Sequence, residues 1–348
     1  MVLKESPWRS SGVRKEMKRI TGKALGASGL SNAWLKYRSK KGAAILAYHR
    51  VNTRSYILSN RVMGGMYVSV ESLECQLAWL KDNFQVVRVS EIISRLKKGG
   101  SWDRPLCAIT FDDGWYDTYE MAFPILRNLQ VPSTVFIVGS RVGTCEPDCF
   151  HLCYEVVDSG CDVPKNLTGI KKIDVLFRVK VLDPGEKARR VINEVRTLGK
   201  EEFDQVHERV RTYYYNSLDG AERNRKYRAL SWEDMRVMQR HDVEIGYHSK
   251  NHYMLTKRPV EELHGELVLP ARVAASYGVR FSRIFCYPDG QYNDNIIRTL
   301  KELGYSGAAS LARGFNHVDT NPYILRRINV HEGATASLND FILLIAKA

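Results

Sequence analysis

No stretch of the 348-residue chain reaches the roughly 18 consecutive apolar residues that a membrane-crossing helix needs. Runs such as Phe341–Ala346 are far shorter. The N-terminus is basic but no apolar segment follows it, so a secretory signal is not expected. Seven cysteines, an odd number, without such a signal point to a reducing cytoplasm rather than a disulfide scaffold. The chain lacks internal repeats and low-complexity tracts. Acidic groups are short as well, 39 Asp plus Glu against 52 Lys plus Arg, which leaves a formal charge of +13. What is present is ordinary globular composition, 44% hydrophobic and 26% charged, which excludes a disordered or fibrous protein. A core of this size needs neither disulfides nor a structural metal.

The excess charge is local. Residues 1–41 carry 11 basic and 2 acidic groups, and residues 171–228 carry 15 and 10. The remainder is close to neutral. A nucleic-acid enzyme would spread cations around its cleft, so no nucleic-acid partner is expected. Residues 1–41 combine cations with Trp34 and Leu35, while Gly22, Gly26 and Gly29 interrupt any long helix. This is a basic arm suited to an anionic membrane surface.

From Gly42 the chain alternates short apolar strands with amphipathic helices. Strands are expected at Ala43–Tyr48, Val86–Val89, Leu106–Phe111, Ser133–Val138, Val243–Tyr247, Arg283–Tyr287, Tyr305–Ala309 and Ile324–Val330. Ser69 and Ser90 are expected helix caps. Further helices are expected near 117–129, 259–277 and 292–303. The rhythm implies a mostly parallel sheet, closed or open. It breaks between about 145 and 229. There Ile173, Val175, Phe177, Val179 and Val181 alternate and read as a strand, followed by two amphipathic helices. The expected organisation is the basic arm at 1–41 and one domain over 42–348 with an insertion at about 145–229, mixed but mainly helical.

Three strand ends carry polar clusters. Thr110-Phe-Asp-Asp-Gly114 places two carboxylates at a strand terminus, where a glycine-permitted turn aims both into one cleft. His248-Ser-Lys-Asn-His252 spaces two imidazoles for one divalent ion if the backbone coils there. Tyr287-Pro-Asp-Gly290 ends a third strand. Strand C-termini form the active face of β/α folds. One Asp and two His would leave coordination open for water, as hydrolytic metal sites require.

These motifs resemble the polysaccharide deacetylase family, the NodB-homology carbohydrate esterases. The likeness also covers Tyr48-His-Arg-Val51, Phe285-Cys-Tyr-Pro-Asp-Gly290 and Leu325-Arg-Arg-Ile328, in the family's order from about residue 42 to 331. The resemblance implies a distorted (β/α) barrel of about seven strands and removal of an N-acetyl group from an amino sugar. It implies one divalent ion, with zinc expected, held by Asp113, His248 and His252, and Asp112 as general base. It implies an oxyanion donor at the backbone N–H of Asp289, and substrate contacts at Tyr287 and Pro288. His49 and His331 compete as general acid, with His49 preferred for this Tyr-Pro-x-Gly branch.

The chain departs from the family pattern in three places. Cys286 stands where an arginine usually holds the base, and Arg327 is the candidate replacement. Asp289 replaces a common aromatic, and Tyr253 replaces a proline. Cys145, Cys149, Cys153 and Cys161, with Asp148 and His151, are spaced unlike a zinc knuckle and read as small buried thiols. Tyr213, Tyr214 and Tyr215 read as packing of the insertion. The expected substrate is an N-acetylated amino sugar, carried on a polyprenyl lipid or in a glycan precursor. The expected location is cytoplasmic, peripheral at the inner membrane face. Deformylation or another small-acyl amide cleavage, and a catalytically inactive glycan-binding relative, are the alternatives.

Overall fold

The computed structural model describes residues 42–99 and 104–348. The basic arm at 1–41 lies outside the described residues. Among the described residues ten strands form: β1 Ala43–Tyr48, β2 Arg50–Asn52, β3 Tyr67–Ser69, β4 Gln85–Val86, β5 Leu106–Phe111, β6 Ser133–Ile137, β7 Val243–Tyr247, β8 Phe281–Cys286, β9 Gly307–Ala309 and β10 Ile328–Asn329. The main sheet runs β10-β1-β5-β6-β7-β8-β9, with β4 paired to β5. Every pairing along it is parallel. The chain before β10 nearly closes the ring, because Leu325 bridges Ala309 while Ile328 pairs with Leu46. This is the distorted (β/α) barrel of about seven strands that the motifs imply. β1 and β5 are buried at every position, as parallel strands covered on both faces must be.

Local chemistry explains the helices around it. Helix α1, Val70–Asn83, starts where the Ser69 hydroxyl accepts the Ser72 N–H. Helix α2, Val89–Lys98, begins one residue before the expected Ser90 cap. Its Ser90 N–H instead meets the carboxylate of Glu244 at 3.3 Å, an anion supplied to the helix N-terminus by β7. The helix expected across 259–277 is split into Val260–Leu267 and Ala271–Ser276. Pro270 lies at the break, where it cannot continue an α-helical ladder.

The insertion among the described residues is helical: α3 Cys149–Asp158, α4 Lys171–Arg178, α5 Pro184–Val195, α6 Lys200–Tyr213 and α7 Gly220–Tyr227. The strand expected at Ile173–Val181 is therefore a helix followed by a bend. Ile173 and Phe177, one helical turn apart, are buried, while Val175 faces out. Asp174 accepts from the Thr168 N–H and hydroxyl at 2.7 and 2.8 Å, which anchors α4. The alternation was real in sequence, but packing on α5 selected the helical period. Asp183 caps α5 as its Asp-Pro-Gly-Glu start suggests. The insertion builds its own apolar core, into which the barrel inserts Trp115 and Met254. Tyr214 and Tyr215 are buried in that core. Cys149 and Cys153 are buried, but Cys161 is exposed and Cys145 partly so.

Candidate active site

A cavity of about 210 Å³ opens at the C-terminal ends of β1, β5, β7 and β8. Both carboxylates of the β5 motif line it. The Asp112 N–H still bonds to the Tyr48 carbonyl at 2.9 Å, so Asp112 extends the sheet. Asp113 then turns at φ 70° and Gly114 at φ 67°. A Cβ on Gly114 would meet Ile137 at 3.1 Å, so this turn needs glycine both for its φ and for its close approach. Ser249, His252 and Asp289 also hold positive φ. Backbone strain of this kind costs on the order of 1–3 kcal/mol per residue and concentrates at functional sites.

The histidine motif is a coiled loop, not a helix. His248 is tied to β6 through its N–H and the Ile137 carbonyl at 2.8 Å. The Ser249 hydroxyl accepts the His252 N–H at 3.0 Å. The Glu266 carboxylate accepts the Asn251 N–H at 3.0 Å and clamps the loop from outside. Both imidazoles then present Nε2 to Asp113 Oδ1, at 3.4 Å for His248 and 3.3 Å for His252.

The outward nitrogens of these rings test whether the set suits a metal. His248 Nδ1 lies 2.7 Å from the Cys286 carbonyl, so it carries the proton and leaves Nε2 free as a donor. His252 Nδ1 faces Asp148 Oδ2 at 3.6 Å. Asp113 Oδ2 accepts the Trp115 indole N–H at 3.0 Å, so Oδ1 remains for the cavity. Metal-bound histidines characteristically have an acceptor at the remote nitrogen, which fixes tautomer and aim. The residues fit a divalent ion. Burial opposes the Asp113 charge, yet with no ion present the facing His248 and His252 rings hold its carboxyl well below the usual range. Asp112, His248 and Cys286 also cluster. That group does not suit an ion, because Arg327 occupies both Asp112 oxygens and His248 turns its protonated nitrogen toward Cys286.

The Arg327 fork meets Asp112 with Nη1–Oδ1 at 2.7 Å and Nη2–Oδ2 at 2.8 Å. Its Nε donates to the Ser310 carbonyl at 2.8 Å, and the Cys286 sulfur lies 3.0 Å from Nη2. A thiol thus fills the space beside the fork, while Arg327 reaches the carboxylate from the segment just before β10. Burial penalises the Asp112 charge, but Arg327, with His49 and His248, holds the carboxyl below its ordinary value.

His49 Nε2 lies 3.6 Å from Asp112 Oδ2, and its ring lines the cavity. Burial pushes its pKa down, against the pull of Asp112 and Asp113. His331 is half-buried at the N-terminus of Glu332–Thr335 and does not line the cavity. Tyr287 forms part of the wall, with its hydroxyl donating to the Tyr323 carbonyl at 2.7 Å. Pro288 is buried and is not part of that wall.

The insertion supplies residues that motif reading did not assign. Asp148 is the N-cap of α3, accepting the His151 N–H at 2.9 Å. Its second oxygen lies 2.9 Å from His151 Nδ1 and 3.7 Å from Arg141, besides facing His252. Arg141 and Arg50 sandwich the Trp115 ring, at 3.8 and 4.2 Å from its centroid. Arg196, at the end of α5, pairs with the Asp289 carboxylate at 2.8 Å and lines the cavity. The only local hint was that Asp148 and His151 stood among the cysteines of 145–161.

One carboxylate and two imidazoles at the strand ends of a parallel barrel, beside an arginine-clamped carboxylate, are the donor set of hydrolytic metal enzymes. Comparison with known proteins narrows this class. The sequence pattern of the family "Polysaccharide deacetylase" matches residues 100–168 and 205–308. The interval between falls on α4 and α5 of the insertion. The Bacillus subtilis protein YxkH is 19% identical over 308 residues, covering 88% of this chain and 78% of that one. The poly-beta-1,6-N-acetyl-D-glucosamine N-deacetylase of Staphylococcus aureus is 31% identical over 116 residues, covering 31% of this chain and 40% of that enzyme. Among solved structures, the Streptococcus pyogenes deacetylase PplD in complex with acetate superimposes with a TM-score of 0.54 at 15% identity, over 84% of this chain and 94% of that one. A de-N-acetylase from Aggregatibacter actinomycetemcomitans gives 0.52 at 16% identity, over 87% and 99%. The chain belongs to the polysaccharide deacetylase family, and these structures share its fold.

Proposed function

We propose that this protein removes the N-acetyl group from an amino sugar, in a glycan or in a lipid-linked glycan precursor, with the help of one divalent ion. The observation that carries the reading is the convergence of Asp113, His248 and His252 beside Asp112, itself clamped by Arg327. Asp113, His248 and His252 would hold the ion, and imidazole with carboxylate suits zinc. When bound, such an ion polarises a carbonyl and lowers the pKa of water toward neutrality.

The chain's own groups do the rest. Arg327 keeps Asp112 ionised and fixed in orientation, so its carboxylate accepts a proton from the attacking water. Burial holds His49 neutral at rest. The proton taken by Asp112 passes through His49 Nε2 to the leaving nitrogen, which departs as the amine. The backbone N–H of Asp289, on its left-handed turn beside the cavity, is the proposed donor to the developing oxyanion. His331, outside the cavity wall, is the weaker choice for proton delivery. Phe150 and Met63 restrict water around the reacting group.

The precursor reading draws support from the cations of residues 1–41 and of the insertion, which suit an anionic inner membrane face. No helix among the described residues is long and apolar enough to cross a membrane. Mass spectrometry of N-acetylated oligosaccharides and lipid-linked amino sugars, before and after incubation with the zinc-loaded protein, tests the reaction. Loss of an acetyl group with acetate in solution is expected. Formate release would assign a deformylase, and glycan binding without any product would assign an inactive relative.

A further inference from the structure

The insertion turns an unusual surface to solvent at the hairpin formed by α4 and α5. Val181, in the connection between them, is 94% exposed, and Val175 on α4 is 46% exposed. Val175 and Leu176 line an open, apolar groove whose rim carries Lys171, Lys172 and Arg190. Exposed apolar positions among mainly basic side chains are not what a solvated helical face needs.

The charge is lopsided where the apolar residues emerge. Residues 171–190 hold seven Lys and Arg against three Asp and Glu. Asp174 is turned inward onto Thr168. Glu186 is covered by Arg189 and Arg190 at 2.7 Å each. Glu194 pairs with Lys172 at 2.6 Å, and Asp183 accepts from the first N–H groups of α5, so Lys171 and Lys180 are the cations left beside Val175 and Val181. Small aliphatic tips among lysines match the boundary between phosphate headgroups and acyl chains.

The groove lies along a helix whose far end contributes to the active cavity. Asn193 and Glu194 border the groove, and Arg196, two residues further, reaches into the active cavity to Asp289. Arg196 joins the C-terminal end of α5 to the cavity, while Val181 lies just before its N-terminal end.

We propose that the α4–α5 hairpin docks on an anionic phospholipid bilayer and so holds the protein at a membrane surface. Val175 and Val181 enter the acyl boundary, and Lys171 and Lys180 pair with headgroup phosphates. The docking stands whether or not the sugar substrate is lipid-linked, and it is separate from any contact made by residues 1–41.

The test uses the full chain and vesicles of phosphatidylcholine with or without phosphatidylglycerol. Sedimentation with the anionic vesicles is expected, with binding falling as salt rises. The double variant Val175→Asp, Val181→Asp should weaken partitioning about tenfold or more. The double variant Lys171→Glu, Lys180→Glu should weaken it by a similar factor and flatten the salt dependence. Circular dichroism identifies any variant that fails to fold, and the other pair then decides. Binding of folded variants equal to the unaltered chain, or no binding by the unaltered chain, would overturn the proposal.

Discussion

The barrel and the insertion both put charged groups around one cavity, but under opposite conditions. At the strand ends, Arg327 and Asp112 meet with side chains 0% and 2% exposed. On α5, Arg189 and Glu186 meet at the same 2.7 Å with 62% and 32% exposed. Equal distance does not mean equal consequence. Water screens the second pair, which contributes about 0–1 kcal/mol. The first pair is desolvated, so neither partner tolerates loss of the other. The barrel therefore holds reactive groups in one geometry, whereas most insertion charges stay free to meet a partner. Asp148 is the exception, an insertion group drawn into the barrel's low-dielectric site, whereas Arg196 borders the cavity at a partly exposed pair.

Four substitutions break or sharpen this contrast, from the largest effect down. Asp112→Asn should lower turnover by about 10²–10⁴ while leaving bound zinc unchanged, measured by acetate release and metal analysis. Turnover near the original value would remove Asp112 from the proton path. Arg327→Met should cost about 3–5 kcal/mol in urea unfolding, because it strands the Asp112 charge in the interior. A loss as small as that for Arg189→Ala would show the two regions to be alike after all.

Asp148→Asn should weaken zinc binding roughly ten- to a hundredfold in chelator competition, by loosening the aim of His252. Unaltered affinity, with Asp113→Ala binding no metal in parallel, would restrict Asp148 to capping α3. Arg196→Ala, at a partly exposed pair, should change stability by about 0.2–1 kcal/mol. Its clearer sign is a shift in KM for a bulky substrate with kcat little changed, since Arg196 borders the cavity without reaching the reacting groups.

Much of the barrel was legible from residue order. β1, β5 and β7 fall on the expected residues, because each is a short apolar run ended by polar or turn-forming residues. The motif side chains at their ends come together as parallel strands require. The insertion was less legible. In 173–181 the β-branched residues alternate, and a period of two over so short a span competes with the helical period. Contact with α5 decided between them. Ser90 had the chemistry of a cap, yet Glu244, distant in sequence, took over the helix N-terminus. The thiol reading at 145–161 was right for Cys149 and Cys153, which face the insertion core, and not for exposed Cys161.

The sequence by itself determined the parallel β/α frame and which carboxylates and imidazoles stand at its strand ends. Strand periodicity and turn chemistry are local, and local order carries them. Only the tertiary structure decided that Arg327 clamps Asp112, that His49 rather than His331 lines the cavity, and that Asp148 backs His252. Each of these joins groups far apart along the chain. Their energies depend on the burial and distance that packing creates, so no window of sequence contains them.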